Sequence, residues 1–197
     1  MGHLLGGFTV LSLLWLGYLN ARSFVPERRA APGYLRRLAL LGIAVLVVQI
    51  ALGGWTSANY AALACPTFPK CMGEWWPPMD MNDGFVLWRG LGVNYEFGVL
   101  DSPARVAVHM AHRVWAMVVF VCLAGLGIAA LRQSSGALRA ASVVVLMLLV
   151  AQVCLGIANV LLHLPLPVAA AHNAVAALLL LALLTLTHIL LRRTSRG

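Results

Sequence analysis

The sequence predicts an all-α integral membrane protein with five transmembrane helices, and two observations carry this prediction. Hydrophobic residues make up 61% of the chain and charged residues only 10%, whereas a soluble domain has roughly 25% charged residues. The apolar residues are also concentrated in five stretches, each near the roughly 20 residues that a helix needs to cross a bilayer. These stretches are Leu4–Leu19, Leu38–Gly54, Val106–Leu131, Ala140–Leu162 and Val168–Leu191.

The first two stretches are the shortest, so we expect flanking residues to complete their helices. The first begins almost at Met1, with no basic segment before it and no small-residue cleavage site after it. We therefore expect a membrane helix there rather than a signal peptide.

The basic residues are concentrated on one side of the predicted membrane. The formal net charge of +8 would be compatible with nucleic-acid binding, but the distribution of the charge indicates a membrane topology instead. Ten of the fourteen basic residues flank the spans on one side: Arg22, Arg28, Arg29, Arg36, Arg37, Arg132, Arg139, Arg192, Arg193 and Arg196. The positive-inside rule makes that side cytoplasmic. We expect a multi-pass protein of a bacterial-type inner (cell) membrane, with the N-terminus and residues 55–104 outside and the C-terminus in the cytoplasm.

Residues 55–104 form the only large segment predicted to lie outside the membrane. Four of the six tryptophans lie in it, which suits contact with the headgroup layer. We predict a short amphipathic helix capped by Asp83, serving as an interfacial anchor or as a lid over the bundle. Its apolar residues are Phe85, Leu87, Trp88 and Leu91.

The same segment contains a cysteine pair, Cys65 and Cys71, with two prolines between them. Because the topology places the pair in an oxidising compartment, we expect a disulfide, acting either as a structural staple or as a redox-active pair. A metal site is disfavoured, since the loop has no histidine and no second cysteine pair. Cys122 and Cys154 lie in predicted spans, and we interpret both as small buried apolar residues.

Two histidines within predicted spans, His112 and His172, are the main candidate functional residues. Ionisable groups inside a membrane are costly and usually mark a cofactor, an ion path or a proton path. His112 lies seven residues beyond Arg105 and His172 lies five beyond Pro167. At 1.5 Å per residue, both are roughly 8–10 Å below the outer boundary. One such histidine can simply hydrogen-bond a neighbouring helix, but two at matched depth on parallel helices favour a cofactor.

The cofactor that fits two matched imidazoles is haem, whose iron takes two axial histidines. An apolar macrocycle suits a helical bundle with its propionates toward the outer surface, where Arg105 and Arg113 are candidate partners. His109 lies one turn outward from His112 on the same face. It remains an alternative ligand, a propionate partner or a group that supports a ligand.

The other histidines are placed differently along the spans. His188 is sixteen residues beyond His172, about 24 Å along a helix, so we expect it near the inner headgroups and outside the site. His163 ends a span and is expected at the outer surface. His3 starts a helix that runs in the same direction as that of His172, which suggests a duplicated unit.

Four stretches together resemble the heme A synthase family of cytochrome oxidase assembly proteins. They are Gln49-Ile-Ala-Leu-Gly-Gly-Trp-Thr-Ser-Ala-Asn59, Ala61-Ala-Leu-Ala-Cys65-Pro-Thr-Phe-Pro-Lys-Cys71, Val108-His-Met-Ala-His-Arg113 and Ala171-His-Asn-Ala174. The resemblance implies eight membrane helices in two similar four-helix halves. We expect residues 1–37 to be the last helix of the first half with its cytoplasmic loop, and residues 38–197 to be a four-helix haem-binding bundle with outer loop 55–104.

The resemblance also implies a function and assigns residues to it. Haem b would be held between His112 and His172, and Cys65 with Cys71 would match a cysteine pair of the family's outer loop. The reaction implied is oxidation of a methyl group of haem O to the formyl group of haem A. His3 would match a histidine that binds the substrate haem in the first half. We assign no catalytic carboxylate, because the first half's outer loop has no counterpart here.

The expected partners are haem O, membrane lipid, and either haem O synthase or a separately supplied first half; no nucleic acid is expected. The sequence leaves the oligomeric state open. Two alternative functions use the same residues differently. One is a non-catalytic b-type cytochrome or haem-binding assembly factor, and the other is a haem-free transporter or structural membrane protein.

Overall fold

The computed structural model describes residues 1–22, 32–90, 94, 98–133 and 136–192. Its six helices are α1 (Gly2–Ala21), α2 (Gly33–Ala58), α3 (Met81–Gly84), α4 (Ser102–Gln133), α5 (Ala137–Leu161) and α6 (Leu166–Arg192). These described ranges contain no strand, and an isolated antiparallel bridge joins Cys71 to Glu74. Several residues named above lie outside the described residues, namely Arg28, Arg29, Leu91, Arg193 and Arg196.

The predicted all-α membrane class is confirmed. Five helices in the described ranges, all except the short α3, are long and apolar enough to cross a membrane. The two short apolar stretches lie within helices of 20 and 26 residues, about 30 and 39 Å long at 1.5 Å per residue. Flanking residues therefore complete both helices, as expected.

Four of the long helices form a bundle, and the fifth packs on its outside. Helix α2 packs on α4 and α6, and α5 packs on the same two helices from the other side. Helix α1 lies mainly against α6. Short connections make α4, α5 and α6 successively antiparallel, so α4 and α6 run in the same direction, as predicted from the sequence.

Close packing and interhelical hydrogen bonds hold these helices together, because lipid tails are as apolar as the core side chains. Helix α2 approaches α4 closely at Gly42, where an added Cβ would lie 2.8 Å from Leu123 Cδ2. Trp115 on α4 donates its indole N–H to the Val45 carbonyl on α2 at 2.9 Å. These contacts set the spacing of the helix pair that carries His112.

Helix α1 begins at the same end of the bundle as α4 and α6. At Gly54, near the end of α2, an added Cβ would lie 3.1 Å from Leu4 Cδ2. Further along, Trp15 donates its indole N–H to Thr185 Oγ1 on α6 at 2.9 Å. Both contacts place α1 parallel to α6, with His3 near the end of the bundle where His172 lies.

The prediction of a helix capped by Asp83 is wrong about where the helix lies. The observed α3 is shorter and earlier: the Asp80 carboxylate caps it by accepting from the Asp83 N–H at 2.9 Å. Asp83 instead pairs with Arg89 at 2.7 Å. The helix ends at Gly84, which fits tightly against α4, since an added Cβ would lie 2.9 Å from the Ala104 carbonyl oxygen. A glycine is a poor helix former, and this close approach to α4 is open only to glycine.

The interpretation of the two membrane cysteines is also partly wrong. Cys122 is half-buried, and Cys154 is exposed on the outer surface of α5. A thiol is apolar enough to face lipid tails, so burial inside the bundle is not required of it.

Candidate haem site

The imidazole of His112 on α4 is enclosed by one turn of α2. The terminal amide nitrogen of Gln49 lies 3.2 Å from Nδ1 and 3.4 Å from Nε2 of this ring, and it donates to the His112 carbonyl at 3.3 Å. One turn further along α2, an added Cβ on Gly53 would lie 3.2 Å from Cε1 of the ring. The glycine therefore makes the space that the imidazole occupies.

The imidazole of His172 on α6 is enclosed in the same way by α5. The terminal amide nitrogen of Gln152 lies 3.2 Å from Nε2 of this ring. One turn further along α5, an added Cβ on Gly156 would lie 3.2 Å from Cε1. Each histidine is thus matched by a glutamine and a glycine, four residues apart, on the preceding helix of the bundle.

The two imidazoles come from parallel helices, α4 and α6, at the end of the bundle that the outer loop covers. Among the residues that the structure describes, several polar atoms beside the two imidazoles are buried without a hydrogen-bond partner, including Gln49 Oε1, Gln152 Oε1 and His172 Nδ1. A buried polar atom without a partner is costly, so this region has hydrogen-bonding capacity that a bound group would use.

Arg113, the residue after His112, joins the site to the outer loop. Its Nη2 donates to the carbonyls of Cys65 at 2.7 Å and Thr67 at 2.9 Å, and its guanidinium lies 5.9 Å from the centre of the Phe68 ring. Its Nη1 is buried and has no hydrogen-bond partner within the described part of the chain. A buried guanidinium N–H without an acceptor is suited to an anionic ligand group.

His109 and Arg105, the other two candidates on α4, are bonded to the outer segment. His109 is 4% exposed and its Nδ1 donates to the Ala61 carbonyl at 2.9 Å. Arg105 donates from Nε to the Leu100 carbonyl at 3.0 Å. The outer segment is therefore attached to α4 on the same turns that carry the candidate ligand.

The predicted disulfide between Cys65 and Cys71 is present, with a Cα–Cα distance of 4.8 Å. Both residues are almost fully buried, at 0% and 1% exposure, and they pack with Val106 and Met110 of α4. Thiol–disulfide exchange needs access of an attacking thiolate, so this burial favours the structural staple over the redox-active pair.

The remaining histidines lie away from the paired imidazoles. His3 is exposed at the start of α1, and His163 is exposed in the turn between α5 and α6. His188 is buried on α6, sixteen residues beyond His172. All three lie on turns other than those that carry His112 and His172.

The two glutamines and the two glycines were not predicted as site residues from the sequence. A signal for them exists, since Gln49-Ile-Ala-Leu-Gly53 and Gln152-Val-Cys-Leu-Gly156 share the pattern Gln-x-x-Leu-Gly. A glutamine within an apolar span is itself unusual enough to suggest a function.

Comparison with known proteins identifies the family. Residues 1–184 match the family model described as cytochrome oxidase assembly protein. The chain is 46% identical to a heme A synthase of Shewanella oneidensis, covering 99% of this chain and 59% of that protein. Heme A synthases of Rhizorhabdus wittichii and Methylobacterium radiotolerans are 33% and 35% identical over 94% and 99% of this chain, and over 50% and 49% of their own lengths. The chain thus spans about half the length of these relatives. By the extent of these matches, it belongs to the heme A synthase family of cytochrome oxidase assembly proteins.

Proposed function

We propose that this chain is the haem b-binding part of a heme A synthase-type membrane oxidoreductase. Its substrate class is haem O, and the reaction is oxidation of a ring methyl group to the formyl group of haem A. The single observation that carries the proposal is the pairing of His112 and His172 on parallel helices, each in its own glutamine and glycine cradle. Membership of the family supplies the reaction.

The residues present fit a haem held by two imidazoles. His112 and His172 would hold the haem iron through their imidazole nitrogens. Gly53 and Gly156 leave room for the two imidazoles, because a methyl group on either would press on Cε1 at 3.2 Å. His109 is less suited to ligation, since its Nδ1–H is bonded to Ala61 in the outer segment. The apolar walls of the bundle suit the macrocycle.

Arg113 is the residue best placed to hold a haem propionate. Its Nη2 is already bonded to the carbonyls of the disulfide loop, while its buried Nη1 lacks an acceptor within the described ranges. A propionate at Nη1 would satisfy that donor and bring its negative charge to the half-buried guanidinium. Arg105, at the start of α4, is the second candidate.

When bound, the haem would supply one-electron redox chemistry to the reaction. The protein's own residues would hold and insulate it: His112 and His172 would orient the group, the apolar helices of the bundle would exclude water, and the disulfide-stapled loop would cover the outer end. From the positive-inside rule, we infer that this loop and the N-terminus lie outside the cell membrane.

We place the substrate haem O near α1 rather than inside the bundle. His3 is exposed at the start of α1, at the loop-covered end of the molecule. An exposed histidine at a membrane helix end can serve as a ligand for a haem that a neighbouring polypeptide also holds. The proposed partner is therefore a first half of the enzyme, or haem O synthase, lying along α1.

The test is a visible spectrum of the purified chain reconstituted with haem b, together with that of three variants. We expect a low-spin bis-histidine spectrum, which His112→Ala and His172→Ala each abolish. His163→Ala, an exposed histidine beyond α5, is the matched control and should keep the spectrum. A normal low-spin spectrum in both single mutants would rule out the assignment.

The enzymatic part of the proposal is tested separately. The chain is incubated with haem O, an electron acceptor and a homologous first half, and the extracted haems are separated by chromatography. Formation of haem A supports the oxidoreductase. Stable low-spin haem without haem A, in the presence of a competent first half, would instead identify a non-catalytic b-type cytochrome.

A further inference from the structure

The two candidate ligands are held by two copies of one local arrangement. In each copy an outward-running helix, α2 or α5, is followed in the bundle by an inward-running helix, α4 or α6, that carries the histidine. The terminal amide nitrogen of a glutamine lies 3.2 Å from an imidazole nitrogen in both copies, Nδ1 of His112 and Nε2 of His172. A glycine one turn later contacts Cε1 in both copies. The same arrangement appears on two separate helix pairs, which indicates a shared requirement rather than incidental packing.

The requirement follows from the chemistry of an iron-bound imidazole. When Nε2 binds iron, Nδ1 keeps its hydrogen and needs an acceptor, which fixes the tautomer and the ring orientation. A glutamine amide carries an NH2 donor and a carbonyl acceptor of nearly the same size. A half-turn about the Cγ–Cδ bond exchanges the positions of these two groups. A glutamine beside the ring can therefore supply the acceptor while remaining uncharged within the membrane.

The unsatisfied atoms at the site match this requirement. At His112, the Gln49 amide nitrogen lies 3.2 Å from Nδ1 and 3.4 Å from Nε2. At His172, the Gln152 amide nitrogen lies 3.2 Å from Nε2, while Nδ1 of the ring and Oε1 of Gln152 are both buried without a partner among the described residues. When Nε2 binds iron it no longer accepts from the glutamine, and Nδ1–H becomes a donor without an acceptor. A rotation of the glutamine side chain that brings Oε1 to Nδ1 would then satisfy both groups.

We propose that Gln49 and Gln152 are positioning residues, each accepting the Nδ1–H of one axial imidazole, His112 and His172 respectively. This inference rests on the proposed function, because it concerns the same haem. Neither glutamine touches the iron or the substrate. Each one acts through its histidine by setting the ring plane and raising the electron density on the ligating nitrogen.

The proposal predicts the direction in which the haem midpoint potential moves. A hydrogen-bond acceptor on Nδ1 makes the imidazole a stronger donor, which stabilises ferric iron more than ferrous iron and lowers the potential. Gln49→Met and Gln152→Met, nearly isosteric and without an acceptor, should raise it. Gln49→Glu and Gln152→Glu, with a stronger acceptor, should lower it. A tenfold change in the ratio of ferric to ferrous affinity corresponds to about 59 mV.

The experiment uses the full chain in detergent, reconstituted with haem b, and combines redox titration with haem-affinity measurement. Electron paramagnetic resonance of the ferric form reports the orientation of the two imidazole planes. The Met variants should also lose haem affinity by about tenfold or more. Val48→Met and Val150→Met are the matched controls, since these neighbouring side chains are 43% and 55% exposed on the outer surface of α2 and α5.

The outcomes separate this inference from the proposed function. If the unaltered chain fails to form low-spin haem, the proposed function itself is refuted. If it forms low-spin haem but the Met and Glu variants share its midpoint and resonance spectrum, the glutamines have no positioning role and the haem assignment stands. If a Met variant does not fold, the Glu variants still decide, because a midpoint at or above that of the unaltered chain overturns the inference.

Discussion

Replacing Gly53 by alanine should displace an axial ligand while leaving the helices at least as stable. The added Cβ would lie 3.2 Å from Cε1 of His112, whereas carbon atoms in contact prefer about 3.5–4.0 Å. The imidazole must therefore retreat by about 0.3 Å or more, a distance comparable with the roughly 0.5 Å tolerance of a working site. Alanine in a helix interior is meanwhile favoured over glycine by about 0.5–1 kcal/mol. The two effects are separable, since one acts on the ligand and the other on the helix.

The matched control is Gly125→Ala on α4, where an added Cβ meets nothing within 4 Å. Both variants should keep the thermal stability of the haem-free protein, or gain slightly. Only Gly53→Ala should lose haem affinity, by about tenfold, as expected for disturbance of groups that orient a metal ligand. The assay is haem titration followed at the Soret band, alongside thermal unfolding of the haem-free chain. Equal haem affinity in the two variants would refute the argument that Gly53 makes space for His112.

Three further predictions follow from the outer loop and the composition of the chain. Cys65 and Cys71 should resist thiol labelling in native membranes until a reductant is added under denaturing conditions, because both are buried; ready labelling without reductant would contradict the disulfide. Arg113→Met should weaken haem binding several-fold, because the proposed propionate contact is lost. It should also make the loop more sensitive to protease, because the hydrogen bonds to the loop carbonyls are lost. Arg105→Met removes one carbonyl hydrogen bond and should have the smaller effect on haem binding. The chain by itself should bind close to one haem and form no haem A, as measured by the haem-to-protein ratio and by chromatography of the extracted haems. Two haems per chain, or haem A without an added first half, would show that His3 needs no partner.

The membrane class and the helices were predictable from the sequence because the bilayer imposes a simple rule. A helix must be apolar along roughly 20 residues, so each span stands out without knowledge of its neighbours. The parallel direction of the helices bearing His112 and His172 follows from counting spans. The cysteine pair was predictable because its short spacing already brings the two residues together along the chain.

The short helix of the outer segment was not predictable in the same way. Its position depends on Asp80 capping the backbone of Asp83 and on Gly84 meeting α4. The contact between Gly84 and α4 joins residues about twenty positions apart in the chain, and the local sequence pattern does not reveal this contact. The exposure of Cys154 depends likewise on which side of α5 faces its neighbours.

Residue types and their positions along the helices were thus determined by the sequence alone: five apolar helices, two histidines at similar positions in their spans, and positive charge concentrated at one end of the helices. The tertiary structure decided which side chains share a site, because that depends on contacts between helices far apart in the chain. It placed Gln49 and Gly53 against His112, placed Gln152 and Gly156 against His172, and turned His109 toward the outer segment. The sequence of an apolar membrane helix says little about which of its sides faces another helix, because the core and the lipid accept the same residues. Only the packed bundle shows which side faces the core and which faces the lipid.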